Sequence, residues 1–425
     1  MDETQSQSDS SEGEGQSQEI NGSAQTAGPV PLAPLRRMMQ GDIGYLPVLV
    51  SLTLIAIIFQ LANKHFLDPN NLTNLMTQIA GFGTISVGVT LTLLIGEIDL
   101  SVGAVSGFAA GIMAVLSVRY QLPGVLAVAA GLLTGLLVGT LQGSWFAKFK
   151  VPSFVVTLAG YLGWQGALLY VLGPTGTVNL NDNFILSIAN YRLPVYVGWG
   201  LTGIFILGIA WTMLHNRVQR ASAGLSVPSK RALLVRILAI SAGLALAVGI
   251  MDINRNPVKS GEPIQGVPMA VLLFIGAVVV LDLITRRTSF GRHIFAVGGN
   301  AEAARRAGIN VDRIRIAAFA LCSLLAAGGG ILAGSRLLAV NQSSGSGDVL
   351  LNAIAAAVIG GTSLFGGRGS TWSALLGALV IGAIANGMNL LAFSSSIKFM
   401  VTGAVLLLSV TLDAYTHTLR QNVGR

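Results

Sequence analysis

Charge is the scarcest ingredient of this chain: Asp, Glu, Lys and Arg make up 10% of its 425 residues, against about 25% in soluble domains. With 52% hydrophobic residues and a mean hydropathy of +0.69, that scarcity excludes an ordinary water-soluble globule. Cysteine occurs once, as Cys322 in an apolar stretch. This excludes a disulfide framework and a thiolate metal site, and leaves a small apolar packing role. His65, His215, His293 and His417 are the only histidines and no two stand at ligand spacing, so no metal site is expected. The chain contains no Gly-x-x-x-x-Gly-Lys-Ser/Thr run and so does not bind ATP by a phosphate loop. No nucleophile, base and orienting acid assemble at recognisable spacing. Neither an enzyme nor a cofactor is expected.

The first 35 residues lack Lys and Arg, yet carry Asp2, Glu3, Asp9, Glu12, Glu14 and Glu19. Almost no large apolar residue accompanies them, so residues 1–40 are expected to be a disordered acidic tail. They are not a signal peptide, because a basic start followed by an apolar core is missing. The net charge of +8 is therefore concentrated downstream. There the bases sit in loops between apolar runs, without the basic face and interleaved aromatics of a nucleic-acid binder. Membrane orientation and anionic lipid headgroups explain them better.

Apolar runs of about 20 residues are what a membrane-crossing helix needs. They are read at 44–62, 75–95, 100–118, 122–146, 151–172, 194–214, 232–251, 267–284, 316–333, 350–364, 372–391 and 397–412. The fold class is thus all-α: a polytopic membrane helix bundle of about twelve spans (ten to twelve). A transmembrane domain covers 41–415, and a short tail follows at 416–425. With both termini in the cytoplasm most Lys and Arg fall in cytoplasmic loops, and a missed span would spoil that bias. The 350–364 run is short and reads as tilted or re-entrant. Gly131, Gly135, Gly139 and Gly143, like Gly103, Gly107 and Gly111, recur every fourth residue. Each set lines one helix face and favours close backbone approach between helices in lipid.

Among the connections the most informative is the polar loop at 287–315. It carries Arg292, Arg305, Arg306, Arg313 and Arg315 against Glu302 and Asp312, and so is placed in the cytoplasm. Asn300 caps a short helix there, Ala301 to Ala304 are good helix formers, Glu302 suits the positive N-terminal end, and Gly308 stops it. Ala303 and Ala304 offer a small docking surface. The Glu302-Ala303-Ala304, three residues, Gly308 pattern resembles the coupling loop of permease subunits of ATP-binding-cassette importers.

Polar residues inside apolar runs are the remaining functional candidates. Glu97 and Asp99 lie between two closely spaced runs. Asp99 can cap the helix opening at Ser101, both acids can sit in a solvated turn, or they can form a proton or sodium site. Asn386 and Asn389, in one helix, can bind sugar hydroxyls or bond neighbouring helices. Gln165, beside Trp164, is a further path candidate, as are Gln78 and Gln142. Gly360, Gly361, Gly366, Gly367 and Gly369 mark a bent segment around Arg368.

Taken in order, EIDLSVGAVSG, KVPSFVVTLAG, FGRHIFAVGGNAEAARRAGI, AIAAAVIGGTSLFGGRGS and Asn386-Gly387-x-Asn389 resemble the permease subunits of monosaccharide importers of the ribose and xylose type. The extra helix pair at 194–251 is similar to the xylose branch. The resemblance implies a permease homodimer in the bacterial inner membrane, moving a monosaccharide, most simply xylose or a related pentose. It also implies a cytoplasmic ATPase subunit gripping Glu302, Ala303, Ala304 and Gly308, and an extracytoplasmic sugar-binding protein. Glu97, Asp99, Ser101, Asn386, Asn389 and Gln165 are its candidate translocation-path residues. The competing readings are a proton-coupled secondary transporter using Glu97 and Asp99, and a non-transporting membrane scaffold.

Overall fold

The computed structural model describes residues 46–423 apart from 228, 259 and 260. The expected acidic tail, with Arg36 and Arg37, lies outside the described residues. The described residues belong to one unit of helices plus one two-stranded ribbon. The helices are α1 (Leu46–Ala62), α2 (Pro69–Leu94), α3 (Val102–Val118), α4 (Gly124–Phe149), α5 (Ser153–Leu172), α6 (Asn183–Asn190), α7 (Val195–Ser222), α8 (Lys230–Asp252), α9 (Met269–Arg287), α10 (Ser289–Gly299), α11 (Ala301–Arg306), α12 (Val311–Leu337), α13 (Gly347–Ile359), α14 (Thr371–Leu390) and α15 (Ser395–Val423). Strands β1 (Thr177–Asn179) and β2 (Ala339–Asn341) pair antiparallel, Val178 opposite Val340.

Every expected span coincides with one helix. Among the described residues eight helices are long and apolar enough to cross a membrane; α1, α3, α13 and the apolar part of α15 are shorter. Backbone hydrogen bonds closed within each helix are what a hydrocarbon surrounding demands. The sequence reading did not foresee α6, α10 or the β1–β2 ribbon.

The centre of the bundle is α12, which packs against α2, α3 and α4. The glycine stripe on α4 explains how closely. A Cβ on Gly135 would stand 2.5 Å from both Ala327 Cβ and the Ser323 carbonyl, and one on Gly139 would stand 2.6 Å from Ser323 Cβ. Those glycines therefore act as the small-residue seam on which two helices approach backbone to backbone. Around α12 the core is aliphatic and aromatic: Ile79, Leu91, Phe274 and Phe319 are fully buried. By contrast α7 and α8 bury few residues along their apolar windows and pack chiefly on each other. Trp211, Leu207, Leu238 and Leu246 on them face outward. A helix pair apolar on its outer faces suits lipid rather than water.

Two elements start inside the bundle instead of at its ends. The link from Ile95 to Ser101 is non-helical and carries the start of α3 back beside Gln142, about two turns before the end of α4. The segment before α13 likewise folds in, with the Gly345 carbonyl facing Gly103. Non-helical backbone at such depth is tolerated because protein covers it.

Candidate functional site: a coupling junction at one end of the bundle

The α11 helix forms as the sequence leads one to expect. The Asn300 side chain accepts from Ala303 N at 2.9 Å, satisfying one orphan donor of the first turn. At the other end Gly308 has φ +85°. Its N–H reaches the Arg305 carbonyl, and Ile309 N reaches the Ala304 carbonyl, both at 3.0 Å. This is a Schellman closure, which needs a residue at ease with positive φ. Two residues on, the Asn310 side chain accepts from Arg313 N at 3.0 Å and α12 begins. Thus α11 joins the central helix through a capped turn with little freedom.

The two alanines expected to dock a partner part company. Ala303 is exposed, but Ala304 is 5% exposed and packs into the main core cluster. The outward face of α11 is made by Glu302, Ala303, Arg305 and Arg306. Glu302 pairs with Arg305 at 3.1 Å and Arg306 at 3.3 Å. Such exposed pairs add little stability, and they leave a mixed-charge surface around one small residue.

On the other side of α11, α10 is keyed to the bundle by backbone contact. A Cβ on Gly298 would overlap the Leu94 carbonyl and stand 2.7 Å from Gly367 N. Gly367 N in turn donates to the Leu94 carbonyl at 2.9 Å. The glycine-rich segment therefore does more than bend: it locks the end of α10 to the end of α2.

Glu97 meets Arg315, in the first turns of α12, at 3.0 Å; their side chains are 16% and 23% exposed. The guanidinium also lies 4.9 Å above the Phe146 ring of α4, a cation–π contact. Glu97 is thus a structural partner tying the α2–α3 link to α12.

Over residues 71–410 the chain matches the family described as branched-chain amino acid transport system / permease component. The chain belongs to that family. It is 37% identical over 352 residues to the xylose transport system permease protein of Escherichia coli, covering 83% of this chain and 86% of that one. It is 34% identical to the same-named protein of Haemophilus influenzae, covering 86% and 95%. With the ribose import permease protein of Bacillus subtilis it shares 30% identity, covering 86% and 91%. No solved structure matches.

Within this multi-pass membrane permease the remaining polar candidates do not converge on one path. Asp99 is 1% exposed, and its Oδ1 accepts from Ser101 N at 2.8 Å and Ser101 Oγ at 2.6 Å, which fixes the turn leading into α3 without capping that helix, whose N-cap is Ser101. Ser101 Oγ also lies 2.9 Å from Gln142 Oε1, while the buried Gln142 Nε2 finds no acceptor. One hydroxyl proton cannot serve two acceptors. Turning the Gln142 amide over lets it donate to Ser101 and resolves that conflict.

Asn386 and Asn71 exchange two amide hydrogen bonds, at 2.7 and 2.9 Å. The pair links α14 to α2. Asn389 is exposed and accepts from Lys398 Nζ. Gln165 donates to the Gln342 carbonyl at 2.9 Å, close to the β1–β2 ribbon. Arg315 and Gly298 are the junction residues that sequence reasoning missed. Only the glycine ahead of the Asn300 cap left a local trace.

Proposed function

We infer that this permease is the membrane subunit of an ATP-driven monosaccharide importer. It forms the translocation path and is moved by a separate ATPase. The substrate reading, xylose or a related pentose, rests on the two xylose permeases and on the peripheral α7–α8 pair. The expected domains follow: a permease domain at 41–415, carrying its coupling loop at 287–315, between two cytoplasmic tails. The ATPase grips the exposed face of α11 around Glu302 and Ala303, a sugar-binding protein docks at the end bearing β1 and β2, and two copies of the chain pair across the path.

One observation carries this reading: α11 is a short helix with an exposed face, joined through capped turns on both sides to helices built into the core. A push on that face cannot be absorbed by a slack loop. Ala303→Trp would obstruct the docking face without touching the core. Uptake of labelled xylose into cells making this permease with its cognate ATPase and binding protein should fall at least tenfold, with membrane levels unchanged. Undiminished uptake by the variant refutes the coupling role. Uptake that continues in ATP-depleted vesicles under a proton gradient refutes the ATP-driven reading itself.

A further inference from the structure

At the end of the bundle opposite α11, a cavity of about 420 Å³ opens between α2, the end of α6 and the end of α12. Its polar wall is Thr73, Asn74, Thr77, Asn190, Arg192 and Arg336. Neither arginine has an ion-pair partner among the described residues, and no carboxylate lines the cavity. Thr73 is 5% exposed and its hydroxyl meets no partner. The wall is rigid where it matters. Asn190 Nδ2 donates to the Ser335 carbonyl at 2.9 Å, and Ala189 N donates to Ser335 Oγ at 3.0 Å, pinning α6 to the last turn of α12.

We propose that this cavity is a phosphate-binding site, filled by a phosphodiester of the lipid headgroup layer or by free phosphate. Two guanidinium forks and an unused hydroxyl offer a surplus of donors and two uncompensated positive charges. Phosphate oxygens meet such forks two at a time. A neutral sugar fits worse, because it would leave both charges unneutralised. Depth points the same way. Arg336 stands one residue before the end of α12, where a long apolar helix leaves the bilayer core and a basic side chain reaches the headgroup layer. The cavity is larger than a bare phosphate needs and leaves room for an esterified glycerol.

The test uses the purified full-length chain in a neutral detergent, with short-chain phosphatidylglycerol, the matching diacylglycerol without phosphate, and inorganic phosphate as probes. Binding is read as one-to-one adducts by native mass spectrometry. The wild type should retain phosphatidylglycerol at least tenfold better than Arg192→Gln/Arg336→Gln, and better than it retains the diacylglycerol. Arg192→Lys/Arg336→Lys, which keeps both charges but loses the forks, should retain phosphatidylglycerol less well than the wild type and better than the Gln variant. If inorganic phosphate competes, the site reads the phosphate itself; if only the lipid binds, the acyl chains take part. Either result supports the site. Equal retention by wild type and the Gln variant overturns it, as does equal retention of the diacylglycerol. Binding of an acidic peptide, with neither phosphate probe bound, overturns it in favour of a protein carboxylate. Should the Gln variant fail to fold, the Lys variant and the wild-type comparison of phosphatidylglycerol with diacylglycerol still decide.

Discussion

Removing either half of the Glu97–Arg315 pair should destabilise the bundle measurably, and removing both should cost no more than removing one. At 3.0 Å and an effective dielectric of about 20, two unit charges attract by about 5 kcal/mol before desolvation is counted. Desolvation offsets most of that, so the pair is worth little compared with a neutral replacement. Its loss by halves is another matter, since each single variant strands a charge among helices. For fully buried pairs that costs about 3–5 kcal/mol. The side chains here keep 16% and 23% of their exposure, which lowers the expectation to about 2–3 kcal/mol for Glu97→Gln or Arg315→Gln. The Arg315 variant also loses the Phe146 contact, about 0.5–1 kcal/mol, and should be the worse of the two. Unfolding in mixed micelles by graded addition of a denaturing detergent, followed by tryptophan fluorescence, measures all three variants as a double-mutant cycle. Single losses under about 0.5 kcal/mol that simply add would refute the structural role. A Glu97→Gln protein of wild-type stability that fails to transport would return Glu97 to the path.

Two other expectations follow from the packing. Gly298→Ala places a methyl group against the Leu94 carbonyl and Gly367 N; it should cost about 1–3 kcal/mol by overpacking and lower uptake more steeply than it lowers protein level, measured on the same cells. Asn386→Leu should destabilise by about 1–2 kcal/mol through loss of the two bonds to Asn71 in a low-water setting. Asn71→Leu/Asn386→Leu should recover part of that loss in the same unfolding assay, and an unchanged substrate KM in Asn386→Leu would confirm that the amide serves helix packing.

How much of this was legible follows from the range over which each signal acts. The twelve apolar helices could be read because span length and hydropathy are local properties of the chain. Likewise α11 was legible from Asn300, its alanines and Gly308, since caps and stops act within one turn. Its orientation was not: that Ala304 turns inward while Ala303 stays outside depends on where α10 and α12 hold the helix. Poor helix formers hid α10, because Gly291, Gly298 and Gly299 read as loop, and tertiary packing overrode that propensity. Glu97 was visible as an acid needing a partner, but Arg315 is more than 200 residues away and nothing local names it. A separation of 315 residues hid Asn71 from Asn386 in the same way, so the sequence left the amides open between sugar and helix.

The placement of α11 gives the transport reading its mechanical content. Its N-terminal neighbour α10 is keyed by Gly298 to the end of α2 and to the segment leading into α14. Its C-terminal neighbour α12 is seated on α2, α3 and α4. The helix is therefore tied on both sides to α2 and the spans packed around it. Between the α2–α3 link and α12 the Glu97–Arg315 pair is the one ion pair among the described residues that is mostly buried. Force on α11 reaches these central spans from both sides at once. Close-packed helices move as rigid bodies rather than deforming, so the compliant parts are those that lack continuous helix: the Ile95–Ser101 link and the turn before α13. Both lie beside the start of α3, so that is where a push transmitted through α11 would be taken up first.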